Sequence, residues 1–105
     1  MKHKILKASE ARDRVINAEK ILLHKLLTAV NYKIIVSAEA GNRSMIMPVI
    51  KEIYHLDYLR CPMTAQGIVN DAIIILRERG YDIRQQGIFG DARQPDLKIN
   101  WENSP

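Results

Sequence analysis

The chain has almost no cysteine, few aromatics and no long apolar run, and each shortage excludes something. One cysteine in 105 residues, Cys61, cannot close an internal disulfide or build a structural zinc site. Beside Pro62 it reads as a small buried hydrophobe rather than a nucleophile. One Phe, one Trp and four Tyr leave the core to aliphatic side chains. No apolar run approaches the roughly 20 residues that span a bilayer, so no membrane partner is expected. The start, MKHKILKASEARDR, has basic residues but no long apolar segment and no small-residue cleavage site, and does not read as a signal peptide. His3, His24 and His55 stand alone, with none paired at metal-ligand spacing on a helix. A nucleophile elbow and a phosphate-cradling glycine loop are both lacking. The expectation is a non-enzymatic protein with no catalytic residues, no metal and no cofactor.

What is present is enough for one folded domain. Apolar residues make up 47% of the sequence, too many for a disordered chain, and 105 residues fit one core better than two. The net charge of +4 favours an acidic partner without requiring one. Residues 1–8 read as a basic arm carrying Lys2, Lys4 and Lys7, and residues 9–105 as a single domain.

Ser9 is a suitable N-cap, with Glu10 placed for the first turn. From there to Val30 the spacing predicts an amphipathic helix. Val15, Ala18, Leu22, Leu26 and Ala29 share its inward side, and Asp13, Asn17, Lys20, His24 and Thr28 the opposite one. The β-branched run in NYKIIVSA, Asn31 to Ala38, predicts a strand, followed by a turn at Gly41 and Asn42. For residues 43–47 two readings stay open, a strand returning antiparallel to the first or the start of a helix. Pro48 suits the first position of a helix running to Leu59. Thr64 suits the cap of a strongly apolar helix that closes at Arg77, Glu78, Arg79 and Gly80. Strands beginning at Tyr81 and at Leu97 flank a loop containing Gly87, Gly90 and Pro95. Helices and strands do not strictly alternate. The fold expected is therefore α+β: a long N-terminal amphipathic helix and one or two further helices packed on a small, mostly antiparallel sheet.

Two functional readings follow. The first is a winged helix on DNA, with residues 64–79 as recognition helix and residues 81–101 as a two-stranded wing around the 84–96 hairpin. Thr64, Gln66 and Asn70 would face bases, and Arg77, Arg79, Arg84 and Arg93 phosphates. Against it, the helix is apolar nearly all round and its arginines already suit the negative end of the helix dipole.

The second comes from a resemblance. Leu76, Gly80, Tyr81 and Ile83, followed by Ile99 and Trp101, resemble the Leu-x-x-x-Gly-Tyr and Ile-x-Trp patterns of small helix-strand-helix-strand proteins of tailed bacteriophages. The resemblance implies a virion structural component that oligomerises through protein contacts, located in the virion or the host bacterial cytoplasm. Its partners would be other copies of itself or other virion proteins. Nucleic acid is a further expected partner, through the basic arm or the hairpin. An accessory factor that binds and inhibits a host protein is another alternative. Independently of the resemblance, Met45, Ile46 and Met47 suggest an adaptable apolar interface, with Tyr54 and Tyr58 as aromatic anchors.

Overall fold

A computed structural model describes residues 5–49, 62–90 and 94–102. The chain enters helix α1, Ala8–Glu39, from Lys7, whose extended backbone makes it the N-cap. The Lys7 carbonyl accepts the Ala11 N–H at 3.0 Å, and no side chain caps the helix. Ser9, the expected cap, lies inside the first turn.

The larger departure is downstream. Asn31–Ala38, expected as a strand, continues α1 without interruption. The reason is burial. Leu26, Val30 and Ile34 recur every four residues and are all buried, so one more helical turn carries the core stripe onto Ile34. β-Branched residues lose only a few tenths of a kcal/mol each in a helix, whereas burying an isoleucine contributes roughly 1.5–3 kcal/mol. Packing outweighs propensity.

Gly41, at φ 87°, ends α1. Its N–H reaches the Ala38 carbonyl and the Asn42 N–H the Ser37 carbonyl, both at 3.0 Å, which is a Schellman closure.

Strand β1, Ser44–Pro48, follows. It resolves the open choice at 43–47 in favour of a strand, although its partner is not residues 31–38. Pro48 ends this strand, on a sheet edge where a missing N–H is tolerated, and Val49 directly after it is already helical. Val49 is buried and donates its N–H to the Pro95 carbonyl at 3.2 Å. The expected helix from Pro48 to Leu59 otherwise lies outside the described residues.

Helix α2, Pro62–Glu78, begins two residues before Thr64, which sits in its first turn rather than at its cap. Its end is where the glycine stop predicts. Gly80 adopts φ 95° and donates to the Arg77 carbonyl at 3.0 Å, while the Tyr81 N–H reaches the Leu76 carbonyl at 3.3 Å. Strands β2, Asp82–Gln86, and β3, Asp96–Asn100, then form an antiparallel hairpin. Strand β3 is central and the order is β1-β3-β2, all antiparallel. The fold is α+β.

The register determines the core. Met45 and Ile83 flank Ile99, and Met47 and Gln85 flank Leu97, all on the face turned to the helices. Against that face α1 sets Leu26, Val30 and Ile34, and α2 sets Ala65, Ile68, Val69, Ala72, Ile73 and Leu76. The other face of the sheet, with Ile46, Lys98 and Arg84 in one row, is open.

Candidate functional site

The most unusual surface of the molecule belongs to α1. Only Leu26, Val30 and Ile34 of its 32 residues are buried, because the body covers one side of its C-terminal half. Residues 8–18 are exposed all round. Val15 and Ala18, expected on the inward side, therefore face solvent. The side turned away from the body also carries Ile21 (50% exposed), Tyr32 (66%), Ile35 (46%) and Val36 (48%). A solvated helix face normally bears charge, so a run of large apolar groups there is informative. Within α1 lies a stretch long and apolar enough to cross a membrane by length and composition. Leu26, Val30 and Ile34 in that region are core residues of the domain, so its hydropathy combines a buried stripe with an uncovered one.

Strand alternation separates the candidate patch at 45–47. Met45 is half-buried and Met47 fully buried on the inner face, and Ile46 alone projects outward, 59% exposed. Ser37 Oγ lies 3.9 Å from Met45 Sδ, linking that methionine to α1. Tyr54 and Tyr58 lie outside the described residues, as do Lys2, Lys4 and Arg93. Lys7 is exposed at the start of α1. Arg84 is exposed on the outer face of the sheet, directly opposite Lys98, with Asp82 and Asn100 beside them. Two facing cations form a small positive centre, held next to a carboxylate. Arg84 shares a row of the open sheet face with Ile46, across Lys98, whereas Lys7 belongs to the start of α1.

Several groups that a DNA interface would use already have internal partners. Gln66 and Gln85 exchange amide hydrogen bonds, Gln66 Nε2 donating to Gln85 Oε1 at 2.6 Å and Gln85 Nε2 donating back to Gln66 Oε1 at 2.8 Å. Gln66 also donates to Asn70 Oδ1 at 2.9 Å, and Gln85 to the Gly87 carbonyl at 3.0 Å. Together these bonds fasten the first half of α2 to β2. Arg77 Nη2 donates to the Ile83 carbonyl at 2.8 Å, so this arginine supports the corner between α2 and β2. The exposed groups left along α2 include Met63, Gly67, Asp71 and Ile74, with no cation before Arg77. Phosphate would find little to bind there.

The residues that carry the phage resemblance hold the fold together. Tyr81 and Trp101 meet edge to face, ring centroids 6.4 Å apart at 85°. The Trp101 indole donates to the Asn42 carbonyl at 3.1 Å, and its backbone N–H to the Arg43 carbonyl at 3.0 Å. Trp101 thus joins the end of α1, the end of β3 and the residue after the α2 stop. Ile83 and Ile99 are paired across the hairpin. The solvent-side stripe of α1 was hidden in the sequence by the inward stripe beside it. Its signal was the width of the apolar face, which is more than one packing surface needs. Among the described residues no three His, Cys, Asp or Glu side chains gather as a metal site, and no buried side-chain polar atom lacks a hydrogen bond. Comparison with protein-family models, with curated proteins and with solved structures finds no match to this chain.

Proposed function

We propose that this is a non-enzymatic protein that acts through protein–protein contacts and oligomerises. The observation that carries the reading is the uncovered apolar side of α1, from Val15 to Val36. Aliphatic groups and an exposed tyrosine along a long helix gain most from meeting another protein, through burial at about 25 cal/mol per Å² of apolar surface. The finer role, a virion structural component of a tailed bacteriophage, rests on the Gly80-Tyr81 and Ile99-x-Trp101 resemblance. The test is fractionation: the protein should come down with mature particles, or elute as a defined oligomer, and Arg84→Ala should leave both unchanged. Copurification with one bacterial protein and absence from particles would favour the host-factor inhibitor instead.

A second reading has its own support. A hairpin directly after α2 and a sheet ordered β1-β3-β2 suit a winged-helix DNA binder, and Arg84 opposite Lys98 offers a positive centre on the hairpin. It requires DNA affinity that falls steeply with salt and drops when Arg84 and Arg93 are neutralised. The engagement of Gln66 with Gln85 and of Arg77 with the Ile83 carbonyl places this reading second.

A further inference from the structure

From Ala11 to Val36, α1 repeats at alternating steps of four and three residues, the period of a coiled-coil seam. The positions so marked are apolar except Lys25; they lie beside the buried stripe of Leu26, Val30 and Ile34, with Leu22 and Ala29 half-buried against the core and the other six exposed. Ile21 and Ile35 widen the seam on the flank away from the body. The seam extends over nearly four heptads, the length at which such a pattern becomes meaningful.

We propose that this seam pairs α1 with α1 of a second copy, in antiparallel orientation, about a two-fold axis near Leu23 and His24. The proposal rests on the protein-contact reading and names its partner. Three observations select this occupant and orientation.

The first is self-complementarity of size. The antiparallel register sets Ala11 against Val36, Val15 against Tyr32, and Ala18 against Ala29, so large groups meet smaller ones and two alanines let the helices approach closely at the same layer. The second is charge. Parallel pairing in register would place Lys25 against Lys25 in the seam. The antiparallel register sets it against Leu22, where its aliphatic stem can lie along the leucine and its ammonium reach solvent. The third is shape. Each body covers only the C-terminal half of its own α1, so an antiparallel partner lays its bare N-terminal half along that half, and the two bodies sit at opposite ends.

The area fits a weak, reversible pair. At about 1.5 Å per residue the seam from Ala11 to Val36 is about 39 Å long, and a strip about 10 Å wide takes about 400 Å² from each copy. The total, about 800 Å², is that of a transient interface rather than a permanent one.

Sedimentation equilibrium and cross-linking of the full chain test this. The chain should sediment at twice its monomer mass, and Ala18→Glu, at an exposed position, should halve that mass while the domain still unfolds cooperatively in urea. In a Cys61→Ser background, Ala18→Cys with Ala29→Cys should cross-link into a dimer on mild oxidation, and neither cysteine alone should do so. Cross-linking by Ala18→Cys alone would mean a parallel pair and overturn the orientation. A monomer even at about 1 mM, where a weak pair of this size forms, would overturn the pairing. So would a monomer that floats with anionic phosphatidylserine vesicles, since the seam would then belong to lipid. A monomer that still joins particles defeats the pairing and leaves the protein-contact reading standing. A dimer whose only activity is salt-sensitive DNA binding does the reverse.

Discussion

Gly67 stands in the middle of α2 with nothing within 4 Å of where a Cβ would be, and its backbone is helical. Glycine there gives up conformational entropy for no packing gain. Gly67→Ala should therefore stabilise the fold by about 0.5–1 kcal/mol, read as a higher urea midpoint at unchanged slope. Gly80 is the opposite case. At φ 95° it closes α2 so that Tyr81 can reach back to the Leu76 carbonyl, and a Cβ in that backbone region costs about 1–2 kcal/mol. Gly80→Ala should lower the midpoint by that amount. A loss at Gly67 comparable to that at Gly80 would mean that the open space beside α2 is needed by the native structure. The two glycines look alike as letters, and the sign of the alanine effect separates a helix interior from a helix stop.

At the scale of elements, the segment from Asn31 to Ala38 is decided by which of its side chains are covered. As a strand it would turn Ile34 and Val36 to the same face. In α1 they diverge, Ile34 being 7% exposed and Val36 48%. Ile34→Ala should cost roughly 2–4 kcal/mol and Val36→Ala less than about 1 kcal/mol. Urea unfolding in the Ala18→Glu background, where helix pairing is broken, keeps the comparison to the single domain. Equal losses would restore the strand. The contrast also marks how far the sequence could be read. The stop at Gly80, the hairpin strands 82–86 and 96–100 and the inward set of α2 are local signals, written in glycine position and in periods of two and 3.6. The length of α1 is not local. Three β-branched residues in succession speak for a strand, and only the recurrence of Leu26, Val30 and Ile34 against a sheet built from residues 44–100 overrules them. Likewise the candidate patch at 45–47 depended on which face of β1 turned inward, and pairing with β3, about fifty residues on, determined that. The apolar face of α1 was visible as an amphipathic pattern. That half of it would lack a partner became visible only once the body was seen to cover its other half.

For the whole molecule, the consequence of an unpartnered helix face is that stability should depend on concentration. One copy alone leaves Val15, Ile21, Tyr32 and Val36 in water, and the first half of α1 has no packing to hold it helical. Isolated helical segments of that length are marginal, so pairing should order the N-terminal half as well as cover the C-terminal one. A second copy then acts as a ligand of the native state. At a concentration about a hundred times the Kd it adds about 2.7 kcal/mol, which for a domain of this size raises Tm by on the order of ten degrees. Scanning calorimetry across a hundredfold range of protein concentration should show that rise, together with a gain in helical circular dichroism from residues 8–20. The Ala18→Glu chain should melt at one temperature throughout. A wild-type Tm independent of concentration would mean that α1 is stable without a partner. Its apolar side would then contribute nothing to the stability of the fold, and the case for self-association would fall with it.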